Sequence, residues 1–297
     1  MARGYETVEI KQKLVDLLRN SKTGFSGVEI SGKLGINRVT MTKYLNVFAA
    51  EGLIRQKNIG NVNLWFIEEG TEQFRFPDDY FKVKNIFLEN LVEGSERQVF
   101  RLIRNCNYSN AQTSKIMTEI IIPAVKSVQE LFQQGKIGKS EEKHLNKIIS
   151  NSIQILNLTP TEIIPEKNVI VLSTDSKNAL HAEAASASFH SEGWQVSSLG
   201  DMSDAIDVLL DLDLEKLLGK IWKQKTGIML IVVFSGTQEG LKFFSEAVNS
   251  VKEKVGKNLY LVLCTKIKTP TAKADLVAEN LETALQWSQT IFERSVA

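Results

Sequence analysis

The sequence predicts a multidomain α+β and α/β protein: a small helical unit with a β-hairpin, then a four-helix bundle, then a doubly wound parallel sheet. Three features carry that expectation. Residues Phe25 to Ile67 hold two short helical patterns around a glycine turn, followed by two short runs suited to a hairpin. From about Pro77 to Leu158 apolar residues recur at helical spacing throughout, and from Asn168 onward short β-branched runs alternate strictly with helical patterns. The expected divisions are residues 1–75, 77–160 and 166–297.

In the first part, the turn Lys33-Leu34-Gly35-Ile36-Asn37 separates the two helices; Gly35 is free to take positive φ and Asn37 can cap the second helix. That helix, Arg38 to Glu51, keeps Met41, Leu45 and Phe48 on one apolar stripe. Arg38, Thr40, Thr42, Lys43 and Asn46 fall outside that stripe, and such short polar and cationic side chains suit base edges and phosphates. Gly52-Leu53-Ile54 should stop the helix. Residues 54–57 and 62–67 should then flank Asn58-Ile59-Gly60-Asn61 as a hairpin carrying Arg55 and Lys57.

In the second part, Phe81, Ile86, Phe87 and Leu91 mark one helix, and Val99, Phe100, Leu102 and Ile103 the next. Ile116 through Leu131 form a third, interrupted at Pro123, which should kink it or start a new one; Glu141 through Leu156 form the fourth. In the third part, strands are expected at 169–172, 194–199, 227–234 and 259–264, with helices at 180–192, 214–225, 241–255 and 281–294. That alternation implies right-handed crossovers and a sheet covered on both faces, with any ligand beyond the carboxyl ends of the strands. Those ends are the polar loops from Ser173 to His181 and from Phe234 to Gly240.

Composition narrows the classes. The 297 residues carry a formal net charge of +1, so a basic footprint for nucleic acid has to be local; Arg38, Lys43, Arg55 and Lys57 supply one. Two distant cysteines, Cys106 and Cys264, argue against a disulfide scaffold and for a reducing compartment. No apolar run is long enough to span a bilayer, and no signal peptide is evident, so the expectation is a cytoplasmic protein without a membrane partner.

The run from Asn37 to Leu45, followed by Glu51-Gly52-Leu53-Ile54, resembles the recognition helix and wing start of prokaryotic winged helix-turn-helix regulators. The resemblance covers about the first quarter of the chain and implies a DNA-binding domain. Two further stretches, Ile122 to His144 and Leu180 to Gly200, resemble the helical cap and flavodoxin-like domain of cobalamin-binding modules, as in corrinoid methyltransferases and cobalamin-dependent photoreceptor repressors. That family uses an Asp-x-His-x-x-Gly loop whose histidine ligates cobalt, whose acid holds the imidazole and whose glycine admits the cofactor's tail. Here His181 matches the histidine, but Ala179 and Ala184 stand at the acid and glycine positions, so the orienting partner of a metal-bound imidazole is missing. Asp175 lies in the same loop as a substitute, and Ser235 falls near the family's serine after the third strand. Cys264-Thr265-Lys266-Ile267 replaces its glycine pair after the fourth. In the cap, Phe132 replaces a tryptophan, and Glu142-Lys143-His144 puts the family's Glu-His pair one place out of step.

The resemblance therefore implies an eroded module, with cobalamin, haem or no cofactor at all as its expected states. His181 has three readings: axial ligand to cobalt, haem ligand, or a helix-start histidine hydrogen-bonded to Asp175 or Ser176. The missing partner favours the last. His190, near a helix end, and His144 are expected at the surface. Other patterns carry no chemistry: Gly27 to Lys33 fits part of a phosphate-binding loop, but Leu34 stands where a magnesium-holding hydroxyl is needed, and no spacing gathers a zinc site or a catalytic triad. The Asp-rich segment 201–215 reads as an amphipathic helix. The resulting expectation is a transcriptional regulator rather than an enzyme: a homodimer or higher homo-oligomer on double-stranded DNA, with a small-molecule effector shifting the spacing of its DNA-binding domains. Two alternatives stand beside it: a corrinoid carrier for a methyltransferase, and a protein-interaction scaffold.

Overall fold

A computed structural model describes residues 7–19, 21, 24–50, 53–60, 62–67, 74–205, 210–223, 226–256, 258–268 and 271–296. The chain forms two compact units, Met1–Gln73 and Phe74–Ala297.

Unit 1 opens with a helix absent from the sequence-based expectation, α1 (Thr7–Arg19), which buries Ile10, Leu14 and Leu18 at a spacing of four. Val15 is buried beside them, so the helix carries an amphipathic pattern that the sequence does hold. Phe25 and Ser26, expected to begin a helix, instead form a short strand β1 (Phe25–Ser26) antiparallel to β3 (Val62–Phe66), with Phe25 opposite Trp65. Ser26 also caps α2 (Gly27–Leu34): its Oγ accepts from the Glu29 N–H at 3.3 Å, while the Glu29 carboxylate accepts from the Ser26 N–H at 2.7 Å. Gly35 takes φ 66° at the turn, and Asn37 Oδ1 accepts from the Val39 N–H at 2.9 Å, starting α3 (Arg38–Ala50), which buries Met41, Leu45 and Phe48. β2 (Arg55–Ile59) pairs with β3 to complete a sheet of order β1-β3-β2. Because Ile59 faces Val62, Asn58 and Ile59 belong to the strand and the turn is tighter than expected, with Gly60 at φ 60°. The expected roles of Gly52 and Asn61 lie outside the described residues.

Unit 2 begins with α4 (Tyr80–Val92) and α5 (Glu96–Tyr108). A third helical run comes next as α6 (Thr113–Ile116), a π turn (Met117–Ile121) and α7 (Ile122–Gln133), then α8 (Lys139–Asn157). Pro123 accounts for the π turn: it has no N–H, and its ring would clash with the carbonyl of residue 119 in a regular helix. Instead the Ile122 N–H reaches back five residues to Met117 O, and Pro123 falls in the first turn of α7, where no donor is needed.

The remaining elements are β4 (Lys167–Ser173), α9 (Ala179–Ser191), β5 (Gln195–Asp201), α10 (Leu210–Ile221), β6 (Ile228–Phe234), α11 (Gln238–Val255), β7 (Leu259–Cys264), β8 (Leu276–Ala278) and α12 (Leu281–Val296). All strand pairs are parallel in the order β5-β4-β6-β7-β8, the flavodoxin-like order. At three residues, β8 is too short to leave a periodic signal. The expected helix over 201–215 is shortened at its start: Asp201 still belongs to β5, Ser203–Ala205 form a 3₁₀ turn, and 206–209 lie outside the described residues.

One core runs through Phe87, Ile103, Ile121 and Ile149 of the helices into Ala184, Val232 and Ala284 of the α/β part. The other face of the sheet packs Ile231 and Leu261 against Leu218 and Phe244. Bundle and sheet, expected as separate domains, therefore share a single interior.

Candidate ligand site

The carboxyl ends of β4, β6 and β7 meet below the bundle, and short polar side chains tie them together. Thr174 Oγ1 donates to Ser235 Oγ at 2.6 Å, and Ser235 Oγ donates to Thr237 O at 3.1 Å and accepts from its N–H at 3.2 Å. The Ser235 hydroxyl is buried, and these bonds use its hydrogen-bonding capacity. Asp175 braces the neighbouring loop. Its Oδ1 accepts from the Asn178 backbone N–H at 3.0 Å and side-chain amide at 2.9 Å, while its Oδ2 accepts from the Gly236 N–H at 2.9 Å.

His181 sits in the first turn of α9, because that helix already begins at Ala179. Its Nδ1 is buried without a hydrogen-bond partner, so it bonds neither Asp175 nor Ser176 through that atom; the spare acid of the loop is committed to Asn178 and Gly236. Burial pushes the imidazole pKa down to about 4, helped by Lys266 and Lys126 and opposed by Asp175. The ring is neutral at pH 7. On the facing helix α8, Asn146 Oδ1 is also buried and unpartnered.

These groups border a crevice of about 730 Å³ between α7, α8 and the carboxyl edge of the sheet. Its apolar walls include Ile122, Phe132, Leu180 and Leu281. The π turn contributes Thr118 and Glu119 to the same wall. At the rim Lys139 pairs with Glu142 at 2.6 Å and Lys115 with Glu282 at 2.8 Å, whereas Lys126, Lys143, Lys177 and Lys266 have no ion pair among the described residues. Gln129 Nε2 reaches Lys177 O at 3.4 Å, linking α7 to the loop after β4.

Of the residues singled out in this half of the sequence, His181 and Ser235 line the crevice, as do Phe132, Glu142 and Lys143 from the cap; Asp175 stands behind them as a loop brace. His144 is exposed and outside the lining, and His190 is half-buried in the last turn of α9. Sequence reasoning gave no role to Asn146 or Lys126, and met Lys266 only within the run that stands in place of a glycine pair. Lys266, just beyond β7, was within reach of the strand-end rule; Asn146 and Lys126 look like ordinary polar helix positions until the bundle is placed. Cys264 also borders the crevice, with its thiol pushed up to about 12 by burial, so it is not a thiolate there.

In unit 1, α3 exposes Arg38, Thr42, Lys43 and Asn46, with Thr40 half-buried, and β2 exposes Arg55 and Lys57. Thr42 Oγ1 returns to Arg38 O at 2.8 Å. Val39 shares the outer surface at 67% exposure.

No protein-family model matches the sequence, and no curated protein matches it. Among solved structures, the chain is similar to the monomethylamine corrinoid protein of Methanosarcina barkeri, with 16% identity and a TM-score of 0.54, over 71% of this chain and 99% of that one. The likeness is one of fold, and it agrees with the helical bundle and flavodoxin-like sheet described above. Two weaker likenesses carry no argument at their scores. One is to the methanol:cobalamin methyltransferase complex MtaBC of Methanosarcina barkeri (14% identity, TM-score 0.35, 74% of this chain and 82% of that one). The other is to an O-methyltransferase family protein of Burkholderia thailandensis (11% identity, TM-score 0.21, 97% and 87%).

A complete cobalamin fits this crevice in part. A neutral imidazole at the rim of an apolar cavity suits a metal ligand. The support behind it does not, since Nδ1 has no acid or carbonyl to fix the ring. Between α9 and the sheet, Ala184 and Phe189 are fully buried in the core, while Phe234, at the end of β6, lines the crevice.

Proposed function

We propose that this chain is a ligand-responsive DNA-binding protein, in which unit 2 holds a small molecule in the crevice around His181 and unit 1 is a winged helix that presents α3 to duplex DNA. The observation that carries the DNA half is one short helix, set by the Gly35 turn and the Asn37 cap, that exposes Arg38, Lys43 and Asn46. The crevice carries the ligand half, through its apolar walls and two unpartnered buried polar atoms. In both halves the chemistry is binding rather than catalysis. The test is fluorescence anisotropy of the full chain on labelled duplex DNA at low and moderate salt. Salt-dependent binding that Arg38→Ala/Lys43→Ala removes is the expected result, and no binding at low salt overturns the DNA half.

A second reading, a corrinoid carrier serving a methyltransferase, is the one the fold likeness favours, since that likeness bears on unit 2 and not on DNA. The crevice-facing His181 favours it too. Protein purified in the presence of hydroxocobalamin tests it: a retained corrinoid whose visible spectrum changes in His181→Gln supports a carrier, and colourless protein argues against one.

A further inference from the structure

We propose that the crevice of unit 2 takes a tailless organic anion, one with an apolar body, a negatively charged group and an N–H or O–H donor. The inference rests on the ligand-site reading above and narrows the class of ligand. Charge gives the first argument. Glu142 and Glu282 are neutralised by Lys139 and Lys115, which leaves Lys126, Lys143, Lys177 and Lys266 against Glu119 and Glu279 at the mouth. The excess is cationic, and exposed ammonium groups around a low-dielectric pocket attract and fix carboxylate, sulfonate or phosphate groups.

The interior gives the second argument. Ile122, Phe132, Leu180 and Leu281 offer apolar surface, so the body of the ligand is hydrocarbon or aromatic rather than a sugar. Asn146 lines the crevice with its Oδ1 lacking a protein partner, so a donor on the ligand, met by a small turn of the side chain, would satisfy it. His181 Nδ1 is a second unpartnered atom on the opposite wall. Because its ring is neutral, it can accept from or donate to the same molecule.

Size gives the third. A volume of about 730 Å³ is that of a site for a drug-sized ligand. A complete cobalamin is larger than that, and the core behind the crevice, with Ala184 and Phe189 fully buried, is closed.

The test uses the full-length protein and two matched probes. 8-Anilinonaphthalene-1-sulfonate has aromatic rings, one anion and one N–H; N-phenyl-1-naphthylamine has the same rings and N–H without the anion. By titration calorimetry the sulfonate is expected to bind one site per chain. Lys126→Ala/Lys266→Ala should weaken it by about tenfold or more, because charge-assisted contacts are lost, and leave the uncharged probe unchanged. Equal binding of the two probes, or indifference to the lysine changes, overturns the inference. Hydroxocobalamin binding with a His181-dependent spectrum overturns it as well while leaving the crevice reading intact. Failure of all three probes removes the crevice reading itself.

Discussion

Thr174 Oγ1 donates to Ser235 Oγ at 2.6 Å, joining the ends of β4 and β6 at the base of the crevice that Ser235 lines. The pair is buried directly against the first turn of α11, where Thr237 caps the helix by accepting from the Gly240 N–H at 3.2 Å. The carboxyl edge is thus a rigid floor, and the adaptable groups of the crevice are the lysines and glutamates above it.

Gly240→Ala tests that floor. An added Cβ would stand 2.6 Å from Thr174 Oγ1 and 2.9 Å from Ser235 Oγ, so the hydroxyl pair or the helix has to move. The expected cost is about 1–3 kcal/mol, seen as a lower urea midpoint at unchanged slope. An unchanged midpoint would show that the helix start yields freely.

His181 makes stability depend on pH in a defined direction. Its pKa is about 4 in the folded protein against 6.5 ordinarily, so between those values the unfolded chain binds the extra proton. Stability from this residue is full above pH 6.5, falls as the pH drops toward 4, and levels off below, with a total of roughly 3 kcal/mol. The measurement is the difference in urea midpoints between the wild type and His181→Gln at pH 7 and pH 4.5, which subtracts the carboxylates common to both. A difference independent of pH would refute the assignment.

Lys43→Ala should weaken duplex binding and reduce the slope of log affinity against log salt by about one if the ammonium meets a phosphate. Arg38→Ala should cost roughly 1–3 kcal/mol and relax sequence preference if the guanidinium reads a base. Anisotropy titrations on a selected duplex and a random one separate the two outcomes, and identical losses on both would place Arg38 on the backbone.

Trp194 is fully buried against Phe189, with ring centroids 5.5 Å apart, yet its Nε1 has no partner. Trp194→Phe removes an unsatisfied donor together with some volume, so the two effects offset and the expected loss stays below about 2 kcal/mol. Trp194→Ala should cost about 3–5 kcal/mol. Thermal unfolding of both variants checks the contrast; similar losses would mean that the indole N–H contributes to stability after all.

What the sequence made legible tracks the strength of each periodicity. β6 is seven consecutive apolar residues between a glycine and a polar loop, and it lies at the expected place, buried throughout. The Gly35 turn and Asn37 cap were readable because each depends on one residue's backbone or side-chain chemistry. β8 was not, being three residues long; α1 was passed over although its apolar stripe of Ile10, Leu14, Val15 and Leu18 is present. In the site, His181 stood out as a residue type and the loss of its usual acid was readable at Ala179, but whether another acid took its place was not. Asp175 looked like a substitute orienter from proximity in sequence, and only the bonds to Asn178 and Gly236 show where its carboxylate is committed. Asn146 had no signal at all, since a helix reveals which of its polar residues faces a cavity only once a second element covers it.

The interior that runs without a break from Phe87 to Ala284 limits how this protein can be taken apart. Cutting the chain after residue 160 would leave each fragment with a raw hydrocarbon face, so neither piece is a sensible candidate for separate expression or for transplanting into another scaffold. Any rearrangement the chain undergoes in unit 2 is confined to movements that keep those faces together.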